Sequence, residues 1–277
     1  MSNIILVDSS YTSFYRFFAT KTWYSMSHKD EYMDIKDFVN YNWNNNKIFI
    51  EKYEKMYLES IKKLVGMKVF KDSILIFAID TPQNTIWRNN EICNYKGKRQ
   101  DMTEKHNFKS VFKYTYNELI PKWINKNKNM FEIKIDEIEA DDIIGLTTIY
   151  VKENFPNKNI YIVSGDEDFL QLGGVNVYFA QYKKKKTFQL TEEESYDALI
   201  KKIVNGDCSD NISSIFKGNI IKNKKELLTD INKLMTFLDN NNDIKNKFLL
   251  NQKIIDFNFI PIKYKNKFNK IIKSILY

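Results

Sequence analysis

Three apolar runs in this 277-residue chain each end in an acid. Asn3-Ile4-Ile5-Leu6-Val7 meets Asp8, Ser73 to Ile79 meets Asp80, and Ile160-Tyr161-Ile162-Val163-Ser164-Gly165 meets Asp166 and Asp168, which stand i, i+2. Carboxylates brought to one edge repel one another, and a divalent cation is the usual physical remedy. Asp and Asn also follow strands as turn formers and helix N-caps, which would account for any one of these acids. Three strand ends of one kind in one chain exceed that explanation. A second acidic group, Glu139, Asp141 and Asp142, opens an apolar-periodic stretch, and a third, Asp207 and Asp210, lies in Asn205-Gly206-Asp207-Cys208-Ser209-Asp210-Asn211. Acids in a first helical turn are favoured by the macrodipole, but three between 139 and 142 exceed that need. Glu139 and Asp142, at i, i+3, share a face, whereas Asp141 lies about 100° from its neighbour, so the three cannot ligate equally.

The elements that must position these acids are readable from period and punctuation. Short β-branched runs stopped by Ser-Gly or Thr-Pro predict buried strands, and in open α/β sheets ligands bind at the C-terminal edge of such strands. The expected fold is α/β: a mainly parallel twisted central sheet with helices on both faces, a basic helical arch and a C-terminal helical region. Ser9 to Ala19 predicts a helix whose Tyr11, Phe14, Tyr15 and Phe18 face the core. Residues 21 to 46 show no clear period and read as a loop with some helical content. Ile48 to Val65 predicts an amphipathic helix, Glu104 to Lys126 another, Phe131 to Ile135 a strand and Val175 to Ala180 a further strand. Lys183 to Lys186 marks a hairpin tip, and Thr191 with Glu194 forms a capping box opening a helix through Val204.

Basic residues interleaved with aromatics follow Asp80: Trp87-Arg88, then Tyr95-Lys96-Gly97-Lys98-Arg99-Gln100. That pattern suits a phosphate backbone with bases stacked beside it, although most charge runs are solvated helix faces. Its departure from an acidic strand end favours the first reading.

Composition agrees. Lys+Arg outnumber Asp+Glu by 43 to 35, a net charge of +8, and 43% hydrophobic content excludes a disordered basic tail. With the nine acids named above set aside, 43 cations face 26 acids, a surplus of 17 that a polyanion would answer. Cys93 and Cys208 make no disulfide framework, and two histidines, His28 and His106, give little to a His-rich zinc site or a Ser-His-Asp triad. No apolar run approaches membrane-spanning length and the N-terminus enters a strand at once, so the chain reads as soluble and cytoplasmic.

The ordered set of the Asp8 strand, the Asp80 strand, Tyr95-Lys96-Gly97-Lys98-Arg99, Glu139-Ala140-Asp141-Asp142, Ser164 to Phe169 and Gly206 to Ile212 resembles the flap endonuclease and 5′-3′ exonuclease family. The resemblance spans roughly residues 3 to 215 and is specific as a set. Trp87-Arg88, the stretch around Lys183 to Phe188, and Ile254 to Pro261 look closer to the ribonuclease H branch of T-even bacteriophages, which removes RNA primers. The family resemblance implies a catalytic domain over 1–190, with the arch at about 82–127, and a C-terminal DNA-binding region over 191–277.

It further implies two Mg²⁺ ions, replaceable by Mn²⁺. One would be held by Asp8, Asp80, Glu139 and Asp141 with Asp166 near or bridging, the other by Asp166, Asp168, Asp207 and Asp210, with Asp142 ligating directly or through water. Lys96 and Arg99 would meet the scissile phosphate, while Arg88, Tyr95, Lys98 and Lys217 would contact nucleic acid. The implied substrates are branched or nicked DNA and RNA-DNA duplex, the implied protein partner a single-stranded-DNA-binding protein, and the implied state a monomer. Ile212 to Asn219 departs from the family by lacking the glycine spacing of a helix-hairpin-helix, which puts a K⁺ site in doubt. The rivals are a non-catalytic binder of branched DNA with the same fold and a short toxin-type nuclease.

Overall fold

The computed structural model describes residues 1–97, 106–216, 227–228 and 230–277. Its centre is a six-stranded sheet in the order β3-β2-β1-β4-β5-β6. These strands are β1 (Asn3–Asp8), β2 (Ser73–Ala78), β3 (Met130–Ile133), β4 (Asn159–Val163), β5 (Val177–Gln181) and β6 (Lys186–Phe188). All neighbours pair parallel except β5 with β6. The chain builds outward from β1 through β2 to β3, then returns to place β4 on the other flank of β1. The reversal leaves a crevice beyond the carboxyl ends of β1 and β4.

Every residue of β1 is buried, as expected of a central parallel strand covered on both faces. Ile4 and Leu6 join one core with Ile76, Ile160, Ile162 and Phe179, while Ile5 and Val7 join the other with Leu75, Phe77, Tyr161 and Val163. The alternation follows from the two-residue period of a strand.

One face carries α1 (Ser9–Ser27), α2 (Lys29–Met33), α3 (Lys47–Val65), α4 (Met67–Lys71), α5 (Lys109–Tyr114) and α6 (Ile120–Lys126). The other carries α7 (Ala140–Asn154), α8 (Glu192–Asn205), α9 (Ile231–Asp239), α10 (Asn242–Ile255) and α11 (Ile262–Leu276). None of the described helices is long and apolar enough to cross a membrane.

Two elements differ from the sequence reading. First, α1 continues to Ser27, and 21–46 is not a plain loop: it holds α2 and a 3-10 turn at Trp43–Asn45. Its aromatics answer tertiary partners rather than a local period. Trp43 is fully buried against Phe17, Tyr24, Phe38, Tyr41 and Phe49. Second, the expected helix over 104–126 is interrupted, because a π turn at Thr115–Leu119 separates α5 from α6. Pro121 has no N–H for the carbonyl four residues back, and the turn before it widens so that the Ile120 N–H donates to the Thr115 carbonyl.

Candidate functional site

The parallel register places Asp8 beside Ala78, with Asp80 two residues past the end of β2 and Asp166 three residues past β4. Asp8 doubles as the N-cap of α1, accepting from the Tyr11 N–H at 2.9 Å and the Ser164 hydroxyl at 2.8 Å. Burial, reinforced by the charge of Asp80, pushes its carboxyl up to about 7. Asp80 accepts from Ser10 Oγ at 2.5 Å and the Ala140 N–H at 2.8 Å. Burial raises its pKa as well, against the pull of those two hydrogen bonds.

Glu139 caps α7 and Asp141 stands in its first turn. Both line the cleft that Asp8, Asp80, Asp166, Asp168 and Asp207 also line, a cavity of about 700 Å³. Burial raises the Asp141 pKa well above the ordinary carboxylate range, with Lys96 opposing. Asp166 caps the 3-10 turn Glu167–Leu172 and accepts from the Asp168 N–H at 2.9 Å. Gly165 is required just before it, since a Cβ there would lie 2.2 Å from the Tyr11 hydroxyl.

Carboxylate oxygens of Asp168, Asp207 and Asp210 come within 4.8 Å of one another. Gly206, at φ +70°, starts the loop that carries the last two, and Asp207 and Ile212 close it with a backbone bridge. Burial tends to raise the Asp207 pKa, but hydrogen bonds from Ser209 and Lys202 prevail and hold it at about 2. Asp210 is nearly buried and lies in a small cavity behind Asp168 and Glu139.

Two cations enter this acidic ground. Lys96, in a left-handed conformation at φ +56°, is 8% exposed and pairs with Glu139, with Asp210 3.9 Å away. Lys202, at the last turn of α8, reaches between Asp168 and Asp207. The sequence reading missed Lys202, for a lysine in the last turn of a helix normally complements the dipole. It also missed Ser10, and it assigned Phe14 to the core, whereas Phe14 is 36% exposed and lines the cleft.

Three expectations are corrected. Asp142 is turned out of the cleft and is fully buried, its carboxylate held by both terminal nitrogens of Arg88 at 2.7 and 2.8 Å and by the Trp87 indole at 3.1 Å. It also accepts from the Glu139 N–H in a reciprocal capping box, which commits the carboxylate to Arg88, Trp87 and the α7 backbone and away from the lining of the cleft. Arg88 is interior too, 4% exposed, with Nε donating to the Ile254 carbonyl and one terminal nitrogen to Glu139, which removes it from any nucleic-acid surface. Tyr95 is buried with its hydroxyl on Glu139 and Asp210. Lys98, Arg99 and Lys217 lie outside the described residues, as do residues 98–105 of the expected arch and 217–219 of the expected hairpin.

The acids of the cleft fit a divalent cation on two observations. Several are desolvated together so that their pKa values rise, and the Asp168, Asp207 and Asp210 oxygens are close enough to share one ion. All are hard oxygen donors, the set preferred by Mg²⁺, Mn²⁺ and Ca²⁺. A shallower depression of about 790 Å³ beside Tyr24, Asp34 and Asn46 is lined by none of these acids.

Comparison with known proteins agrees with this arrangement. The model of the family described as 5′-3′ exonuclease, N-terminal resolvase-like domain, matches residues 3–200. No curated protein matches in sequence. Solved structures share the fold. A bacteriophage T5 5′-exonuclease with bound zinc ions is 14% identical, with a TM-score of 0.63 and 99% of each chain covered. A bacteriophage T5 flap endonuclease in a pseudo-enzyme-product complex with DNA and metal ions is 15% identical, with a TM-score of 0.61 over 99% of this chain and 98% of that one.

Proposed function

The chain belongs to the 5′-3′ exonuclease family, and from that premise we propose that it is a divalent-metal-dependent 5′ nuclease. Its substrates in this reading are branched or nicked DNA and RNA-DNA duplexes, cleaved at the 5′ end as exonuclease and flap endonuclease. The observation that carries the proposal is the gathering of Asp8, Asp80, Glu139, Asp141, Asp166, Asp168 and Asp207 in one cleft with Lys96.

Asp8, Asp80, Glu139 and Asp141, with Asp166, would hold one Mg²⁺, and Asp166, Asp168, Asp207 and Asp210 a second; Mn²⁺ would substitute. When bound, such ions lower the pKa of water and stabilise the leaving oxygen. The chain's own groups do the rest. Glu139 anchors the Lys96 ammonium at the cleft, where it can neutralise a scissile phosphate. Phe14, flanked edge-on by Phe108, offers a ring to a terminal base. Arg88 neutralises the far side of Glu139 and frees that side chain's position from the charge of Asp142.

The finer reading, RNA primer removal with ribonuclease H activity in viral replication beside a single-stranded-DNA-binding protein, draws on the T-even resemblance alone. Cleavage of 5′-labelled flap, nicked DNA and RNA-DNA substrates with and without Mg²⁺ tests both levels. Metal-dependent release of 5′ products supports the nuclease; tight branched-DNA binding with no cleavage in Mg²⁺ or Mn²⁺ would replace it by the non-catalytic reading. Cleavage of DNA but not RNA 5′ ends would remove primer removal.

A further inference from the structure

The π turn at Thr115–Leu119 has a counterpart in the cleft. Tyr116, on that turn, places its hydroxyl 2.8 Å from Ser10 Oγ, and Ser10 Oγ lies 2.5 Å from Asp80 Oδ2. Three residues from three elements thus form one chain of hydrogen bonds ending on a carboxylate at the sheet edge. An ionised Asp80 can only accept, so the single Ser10 proton goes to Asp80 and Tyr116 must supply the proton to Ser10. The other Asp80 oxygen is fixed by the Ala140 N–H at 2.8 Å. Both oxygens are therefore aimed by the protein, each retaining a lone pair for an ion.

The widened turn has its own support on the side away from the cleft. Thr115 bonds the Val111 carbonyl at 2.8 Å and the Tyr53 hydroxyl at 2.9 Å, in a fully buried position. A π turn adds a residue to the helix and shifts every side chain after it by about 100°, a device found often at functional sites. Here Pro121 sets the turn, and the turn carries Tyr116 over Ser10.

We propose that Tyr116 is a positioning residue: acting through Ser10, it aims the Asp80 carboxylate and so sets how tightly the first divalent ion is held. The inference rests on the nuclease reading for the purpose of the ion, but its test separates the two. Tyr116→Phe keeps the ring and deletes the hydroxyl, Ser10→Ala deletes the middle link, and Ser10→Thr retains it. Mn²⁺ binding is read directly by electron paramagnetic resonance, and the Mg²⁺ midpoint of cleavage by titration, with thermal melts confirming folding.

Loss of a group supporting a metal ligand typically weakens binding about 10- to 100-fold, so Ser10→Ala should fall in that range and Tyr116→Phe, one link further out, at about threefold. The double variant should match Ser10→Ala alone, since the tyrosine acts only through the serine. Ser10→Thr should restore Mn²⁺ affinity. Unchanged Mn²⁺ binding in folded Tyr116→Phe, or full additivity in the double variant, overturns the relay while leaving the nuclease standing. Absence of both Mn²⁺ binding and cleavage in the unaltered protein overturns the nuclease reading itself, and the relay's purpose with it.

Discussion

Lys202 Nζ lies 2.9 Å from Asp207 Oδ2, and the same ammonium touches Asp168. An internal cation thus stands where the resemblance puts the second ion, and it offsets the mutual repulsion of Asp168, Asp207 and Asp210. Lys202→Met should lower the metal-free melting temperature, because Asp168 and Asp207 then lose the ammonium that lies between them. Adding Mg²⁺ should recover more stability in the variant than in the unaltered protein. Calorimetry with and without Mg²⁺ checks this, and equal metal-induced shifts would show that Lys202 and the ion do not compete.

Asp80→Asn and Asp166→Asn should abolish cleavage while sparing duplex binding, since each removes a ligand and also relieves repulsion of phosphate. Asp207→Asn should impair catalysis with a partial return in excess Mn²⁺. Filter binding beside single-turnover cleavage separates the effects. Near-normal turnover in Asp80→Asn at saturating Mg²⁺ would end the metal assignment.

Lys96→Ala should lower the single-turnover rate by about 10²–10³ with little change in affinity, the loss expected for a donor that meets charge building on the transferring oxygens. A lysine that only contacts backbone would instead weaken binding and flatten the salt dependence by about one unit of slope. Lys98→Ala is the neighbouring control.

Arg88→Ala should destabilise the fold by about 3–5 kcal/mol, the typical effect of stripping one partner from a buried ion pair. Asp142 is fully buried and would keep its charge without a counter-ion. Urea unfolding with an unchanged slope is the measurement. A shift under 1 kcal/mol would mean that Asp142 is solvated or protonated in the variant.

Metal-free stability should fall as pH rises from about 4 to about 7. Asp8 has its folded pKa raised to about 7 from 3.8, so the folded state binds more protons across that window and deprotonation disfavours folding. The slope contributed by one such group is at most about 1.4 kcal/mol per pH unit. Asp207, lowered to about 2, acts oppositely and only below that window, its contribution being lost as pH falls from about 4. Mg²⁺ should therefore stabilise far more at pH 8 than at pH 5. A flat metal-free profile between pH 4 and 7 would contradict the shared burial of Asp8 and Asp80.

The acids at strand ends were legible because a strand's period and its terminating residues are local, and parallel pairing then aligns the ends. The mainly parallel sheet with helices on both faces follows from the same patterns. What eluded the sequence depends on orientation or on distant partners. Glu139 and Asp142 do share a face, as their spacing predicts, and one Arg88 nitrogen meets both, but the reciprocal capping at the start of α7 commits Asp142 to Arg88 instead of the cleft. Arg88 looked like a surface cation because its acceptors are all distant in sequence, Glu139 and Asp142 by more than 50 residues and the Ile254 carbonyl by 166. Tyr116 stands four residues after Phe112 and four before Ile120, in phase with a core face, so nothing local marked it for the cleft, and its partner Ser10 is 106 residues away.

The packing of Phe257 and Ile254 carries a consequence for synthesis. Gly145 on α7 leaves no room for even a Cβ beside the Phe257 ring, at 2.6 Å, and Gln171 grips the same segment through the Ile255 carbonyl and the Phe257 N–H. Together with the Arg88 bond to Ile254, these contacts seat residues 254–257 beneath the helix that presents Glu139 and Asp141. As the chain emerges from the ribosome, the strand ends can align once β4 has appeared, but the support under α7 waits for nearly a hundred residues more. A nascent chain halted before Ile254 would hold its acids at the edge of a sheet without the floor that orients them, a floor whose Ile254, Ile255 and Phe257 line the small cavity behind Glu139, Asp141 and Asp168.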